Sequence, residues 1–177
     1  MLDKGLLTGF SVFSDIPGDK LSAIAQMGER IEFKPQEVIF QQEDTAKNLY
    51  GVLDGEVELS LIFKGEVFKT DIQYEDSVHT RVEVLERPII IDTVGPGEIF
   101  GWSSLVNPKR LTATAKCSKL TQVFSLPAAD LKSTLDKDPG LGYVIMERLA
   151  EIISSRLQSR TDKLIEAWGE AFEVDKI

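Results

Sequence analysis

The chain has 177 residues, 42% of them hydrophobic, which suits one domain of ordinary size whose core needs no covalent or metal staple. Its single cysteine, Cys117, rules out an intramolecular disulfide. Twenty-nine Asp plus Glu against 20 Lys plus Arg give a formal charge of -9, a surface that repels phosphate backbones and so excludes nucleic acid as a partner of this chain alone.

In chain order, the segment Leu2 to Phe13 places Leu6, Leu7, Phe10 and Phe13 at spacings that suit a short helix or turn packed on the domain. It has an early acidic residue, Asp3, and no continuous apolar core before a cleavage site, so the expected location is cytoplasmic. Ser14-Asp15-Ile16-Pro17 is a start signal, and Leu21, Ile24, Ala25 and Met27-Gly28 predict a helix from about Gly18 to Met27. The period then falls to two. Ile31 and Phe33 alternate with charges, Pro35-Gln36 turns, and Val38-Ile39-Phe40 is a second short strand. Leu49 to Leu53 runs into Asp54-Gly55, a hairpin signal, and Val57, Leu59, Leu61 and Phe63 continue on the far side. Many short strands at even spacing predict an all-β sandwich or barrel.

Lys64 to Arg87 is polar yet β-prone and predicts an extended hairpin, either a contact arm or a solvated elaboration. Ile89-Ile90-Ile91 returns to the core; like every other apolar run, it is far shorter than the roughly 18 residues of a membrane span. Gly95-Pro96-Gly97 turns, Glu98-Ile99-Phe100 is a short strand, and Trp102 to Val106 can begin a helix of little more than one turn after Gly101. Strands around Leu111 to Cys117 and Gln122 to Leu126 follow, and Pro127 opens a helix through Leu135. After Asp138-Pro139-Gly140, apolar residues from Leu141 through Ile145, Leu149, Ile152, Ile153, Leu157, Leu164, Ile165 and Trp168 keep helical spacing. The helix they predict is roughly 40 Å long at about 1.5 Å per residue. Its second half has to find another surface, and a symmetric pair of such helices, a homodimer, would supply one.

The stretch Gly95 to Lys116 holds the most specific chemistry. A glycine at the mouth of a short helix leaves backbone N–H groups pointing outward, an arrangement that favours an anion. Ser103 and Ser104 either add hydroxyl donors or cap the helix backbone. Arg110 either pairs an anion bidentately or is a solvated loop charge. Trp102 either stacks on a flat ligand or fills its space. Thr112 either turns its hydroxyl to the pocket or is an ordinary β-branched strand residue. Cys117, on an apolar strand, reads as an inert core thiol.

This stretch resembles the phosphate-binding cassette of the cyclic-nucleotide-binding domain family, and the order of elements from Phe13 to about Leu157 follows that family. The resemblance implies a mainly β fold, a double-stranded β-helix or jelly-roll barrel over residues 1–137 with N-terminal helices, and a C-terminal dimerisation helix and tail over 138–177. It also implies ligand contacts at Gly101, Trp102, Ser103, Ser104, Arg110 and Thr112, with a cyclic nucleotide or other phosphate-bearing small molecule as ligand. Trp102 stands where nucleotide-binding members carry a ribose-holding glutamate, and the phosphate-pairing arginine falls at Leu111, one residue after Arg110.

One histidine, His79, cannot furnish the metal site of a cupin-type enzyme, and no Gly-x-Ser-x-Gly elbow accompanies it. The expected function is therefore non-enzymatic: a stand-alone sensory or regulatory module in signal transduction. The residues Gly169 to Ile177 are too few for a helix-turn-helix, so its output is expected through a separate protein. The alternative is a degenerate, non-binding domain used for protein interaction or dimerisation.

Overall fold

The computed structural model describes residues 2–74 and 77–171; of residues 66–84, His79 among them, only the backbone is described. Helix α1 (Lys4–Leu7), a 3-10 turn (Ser11–Phe13) and α2 (Gly18–Met27) open the chain. Eight strands follow: β1 (Glu29–Phe33), β2 (Val38–Phe40), β3 (Asn48–Asp54), β4 (Val57–Tyr74), β5 (Ser77–Val94), β6 (Ile99–Phe100), β7 (Thr114–Cys117) and β8 (Thr121–Pro127). Helices α3 (Ala128–Lys137) and α4 (Pro139–Ala171) are the last of the described elements. The strands form two four-stranded antiparallel sheets, β1-β8-β3-β6 and β2-β7-β4-β5, in a jelly-roll arrangement.

Strand β8 shows why the molecule has two cores. Thr121 and Val123 to Leu126 are all buried, so both faces of the strand are covered. Val123 joins Val52, Phe100, Leu59 and Cys117 between the sheets. Phe124 and Leu126 turn the other way and join Phe10, Phe13, Leu131 and Ile145 beneath a helical layer. Gly51 of β3 is required there, because a Cβ would lie 2.2 Å from Phe124 and 2.7 Å from Phe10. Cys117 is fully buried, and burial pushes its thiol above the ordinary range, the condition of an unreactive core thiol.

Asp54-Gly55 makes a turn but not a hairpin. The strands it joins do not pair with each other: β3 pairs with β6 and β8, whereas β4 pairs with β5 and β7. The buried Thr121 hydroxyl accepts from the Glu56 N–H at 3.1 Å and holds this crossing between the sheets. The hairpin expected over Lys64 to Arg87 is present, paired antiparallel from Val57↔Val94 to Tyr74↔Ser77 with register shifts between Leu59 and Ser60 and between Ile72 and Tyr74. Only Val57 to Ser60 of β4 also pair with β7, so beyond Ser60 the ribbon has two strands.

The final helix begins earlier and runs longer than the apolar spacing predicts: 33 residues, or about 50 Å. Asp138 holds its start, accepting from the Leu141 N–H at 3.1 Å and pairing with Lys20 at 2.5 Å. Leu141, Ile145 and Leu149 are buried against the helical layer, whereas residues 161–169 are exposed throughout. Among the described residues no helix is long and apolar enough to cross a membrane.

Candidate functional site

Strand β6 ends at Gly101, whose φ of 78° lies in the left-handed region. A side chain there would be strained by the backbone and would place its Cβ 3.0 Å from both the Asn48 carbonyl oxygen and the Tyr50 ring. The chain then makes one 3-10 turn, Trp102–Ser104, shorter than the helix expected to Val106. The N–H groups of Ser104 and Leu105 are spent on the carbonyls of Gly101 and Trp102, which leaves a smaller anion cradle than the sequence suggests. Beneath the turn, Tyr50 and Phe100 stack at 5.2 Å between ring centres and Phe40 packs against both.

Above this floor lies a cavity of about 190 Å³. Gly101, Trp102 and Ser103 form one wall, Leu111, Thr112 and Ala113 another, and Ile153, Arg156, Leu157 and Arg160 of α4 close the top. Of the residues singled out from sequence, Gly101, Trp102, Ser103 and Thr112 therefore line one space. Ser104 is buried below it, its hydroxyl donating to the Gly101 carbonyl at 2.9 Å, so it serves the turn. Arg110 is not a lining residue; it donates to the Glu43 carbonyl at 3.0 Å and lies 3.8 Å from the Glu43 carboxylate. Leu111, the residue that the resemblance aligns with the phosphate-pairing arginine, is 5% exposed and forms part of the wall.

The guanidiniums at the cavity come from a different element. Arg156, only 12% exposed in its side chain, lies with its guanidinium carbon 4.9 Å from the Trp102 ring centre, within cation–π range. It approaches Glu98 at 3.6 Å and Asp92 at 3.9 Å, both longer than a hydrogen bond. Arg160 reaches the same Asp92 carboxylate at 3.2 Å. Two of their N–H groups, Nη1 of Arg156 and Nε of Arg160, are buried without an acceptor among the described residues. Burial pulls the Arg156 pKa below the usual arginine range, while Glu98 and Asp92 oppose that shift. Among the described residues no cluster of His, Cys, Asp and Glu could hold a metal ion.

Sequence reasoning missed these arginines. The signal was there: Ile145, Leu149, Ile153, Arg156 and Arg160 follow each other at fours and a three, so two arginines continue the face that packs on the domain.

The cyclic nucleotide-binding domain model matches residues 30–138, more than half of the chain and all eight strands apart from the first residue of β1. The chain belongs to the cyclic nucleotide-binding domain family. A Geobacter metallireducens protein described as cyclic nucleotide-binding is 27% identical, with a TM-score of 0.67 over 89% of this chain and 99% of its own. A cyclic nucleotide-binding domain from Methylobacillus flagellatus is 19% identical, with a TM-score of 0.66 over 92% of this chain and 80% of that one. The catabolite activator protein of Thermus thermophilus is 22% identical, with a TM-score of 0.60 over 90% of this chain and 64% of that one, and these last two likenesses show the fold alone. No curated protein matches the chain. As a cyclic nucleotide-binding domain the chain has the build of a regulatory or sensory module, and its α4 brings a pair of arginines to the cavity.

Proposed function

We propose that the chain is a regulatory module whose cavity takes an anion-bearing small molecule and whose α4 carries the response. The observation that best supports this is that Arg156 and Arg160 both line the cavity and that one guanidinium N–H group of each is buried without an acceptor among the described residues. An unpaired buried donor is costly, and an incoming anion relieves that cost. It would also compete with Asp92 and Glu98 for the arginines and so alter how α4 is held. Coupling follows if the ligand binds one disposition of α4 better than the other. The exposed Leu157, Leu164, Ile165 and Trp168 would pair with a second copy in a homodimer, or meet a separate output protein in the cytoplasm.

The test is thermal unfolding with and without millimolar cyclic AMP, cyclic GMP and cyclic dinucleotides, beside native mass spectrometry for a retained small molecule. Ligand at about one hundred times its Kd adds about 2.7 kcal/mol, several degrees for a domain of this size. A shift or a retained mass, either one lost in Arg156→Gln, is expected. Neither a shift nor a retained mass would favour a second reading, a non-binding interaction module. The small cavity favours that reading: about 190 Å³ is below the roughly 300 Å³ at which small-molecule sites begin.

A further inference from the structure

We infer that the ligand of this cavity is a compact apolar monocarboxylate, read by Arg156 and Arg160, and not a nucleotide; this rests on the cavity being a ligand site. Three observations converge on that chemistry. The first is size. At about 190 Å³ the cavity lies below the roughly 300 Å³ at which small-molecule sites begin, a size that suits a single ring or a branched chain of a few carbons better than a base, a sugar and a phosphate together.

The second is the lining. Phe40, Leu59, Phe100, Ala113 and Ile153 offer no hydrogen-bonding side-chain atoms, and Leu111 is apolar where a phosphate would look for its arginine. Such walls accept a hydrocarbon body, and the Trp102 ring gives it a flat face to lie against.

The third is charge. Two guanidiniums face two carboxylates, Asp92 and Glu98, so the local charge is already balanced and a monoanion is favoured over a dianion; a carboxylate and a cyclic phosphodiester both meet that condition, and size and lining separate them. Arg156 and Arg160 both line the cavity, and one N–H group of each, Nη1 of Arg156 and Nε of Arg160, has no acceptor among the described residues, so each side chain holds a donor that a small turn would bring to a ligand. A carboxylate has two oxygens to accept them, and such charge-assisted bonds are the strong ones.

The experiment uses the full chain with Trp168→Phe. This leaves Trp102 as the only tryptophan and changes a residue that is 60% exposed. Trp102 fluorescence is titrated with benzoate and phenylacetate, then with the neutral isosteres benzamide and phenylacetamide, then with cyclic AMP. The expected result is a saturable change with the acids, affinities about tenfold to a hundredfold weaker for the amides, and loss of the preference in Arg156→Gln. The acid–amide comparison is made on unaltered arginines, so it stands even if Arg156→Gln folds poorly. Equal binding of acids and amides would overturn the inference. Saturable binding of cyclic AMP without the acids would also overturn it, while leaving the regulatory reading intact. No binding of any probe, with no retained small molecule in native mass spectrometry, would remove both.

Discussion

Asp92 is the carboxylate that both α4 arginines approach, accepting from Arg160 at 3.2 Å and lying 3.9 Å from Arg156, and its side chain is only 14% exposed. Glu98 touches Arg156 alone, at 3.6 Å, and is about half exposed. The difference decides which carboxylate holds the helix. Breaking a buried ion pair strands the remaining charge, whereas a half-exposed partner is screened by water. Asp92→Asn is therefore expected to destabilise the chain by about 1–3 kcal/mol, since it leaves the buried Arg156 and the one-third exposed Arg160 undercompensated. Glu98→Gln should cost under about 1 kcal/mol. Gln keeps an oxygen for the Gly95 N–H that Glu98 accepts at 2.7 Å. Urea unfolding of the two variants measures both values, and equal losses would mean that Asp92 does not organise the ring.

Among the elements, α4 has two different jobs along its length. Up to Leu149 it is a core element, with Ile145 and Leu149 essentially without exposure. From Thr161 to Gly169 it touches little, and Leu164, Ile165 and Trp168 stand 50–62% exposed. Substituting Leu164→Asp and Trp168→Asp together should leave the fold's unfolding midpoint nearly unchanged at low concentration, because those side chains pack on nothing in the single chain. If the stripe closes a homodimer, sedimentation equilibrium will show the parent as a dimer and the variant as a monomer; a monomeric parent would sink that assignment.

The same helix shows what could be read from sequence. Its existence was visible in the spacing of Leu141, Ile145 and Leu149, as β7 was in Ala115 and Cys117, because periodicity is a local property. Partner choice is not local. Asp54-Gly55 specifies a turn in either case, and only the rest of the sheet decides that β3 and β4 part there. Arg156 and Arg160 escaped notice for a related reason: they lie 52 or more residues from every site residue chosen from sequence except Arg110 and Thr112, and only the return of α4 over the cavity brings them in. Gly101 and Trp102 were legible because a glycine before a short helix marks a special backbone conformation by itself.

At the scale of the whole molecule, the fold of the cyclic nucleotide-binding domain family is kept, and the resemblance of the Gly95 to Lys116 stretch to that family's cassette would put Trp102 at a glutamate position and Leu111 at an arginine position; both residues line the cavity. If those two replacements are what exclude a nucleotide, reversing them should admit one. Trp102→Glu removes the ring that now lies under Arg156 and enlarges the cavity, while Leu111→Arg places a guanidinium in the wall opposite the Gly101 turn. Each restored charge-assisted contact is worth about 1.5–3 kcal/mol, so the pair should tighten cyclic AMP binding by about two to four orders of magnitude. Neither change alone should suffice, since each leaves one end of the nucleotide without a partner. The new glutamate also offsets the charge that the new arginine adds beside Arg156 and Arg160, so the double variant is expected to fold better than Leu111→Arg by itself. Calorimetric titration of the parent, both single variants and the double variant with cyclic AMP reads the affinity directly. A double variant that folds cooperatively and still ignores cyclic AMP would show that the arginines of α4, rather than the two altered positions, keep the nucleotide out.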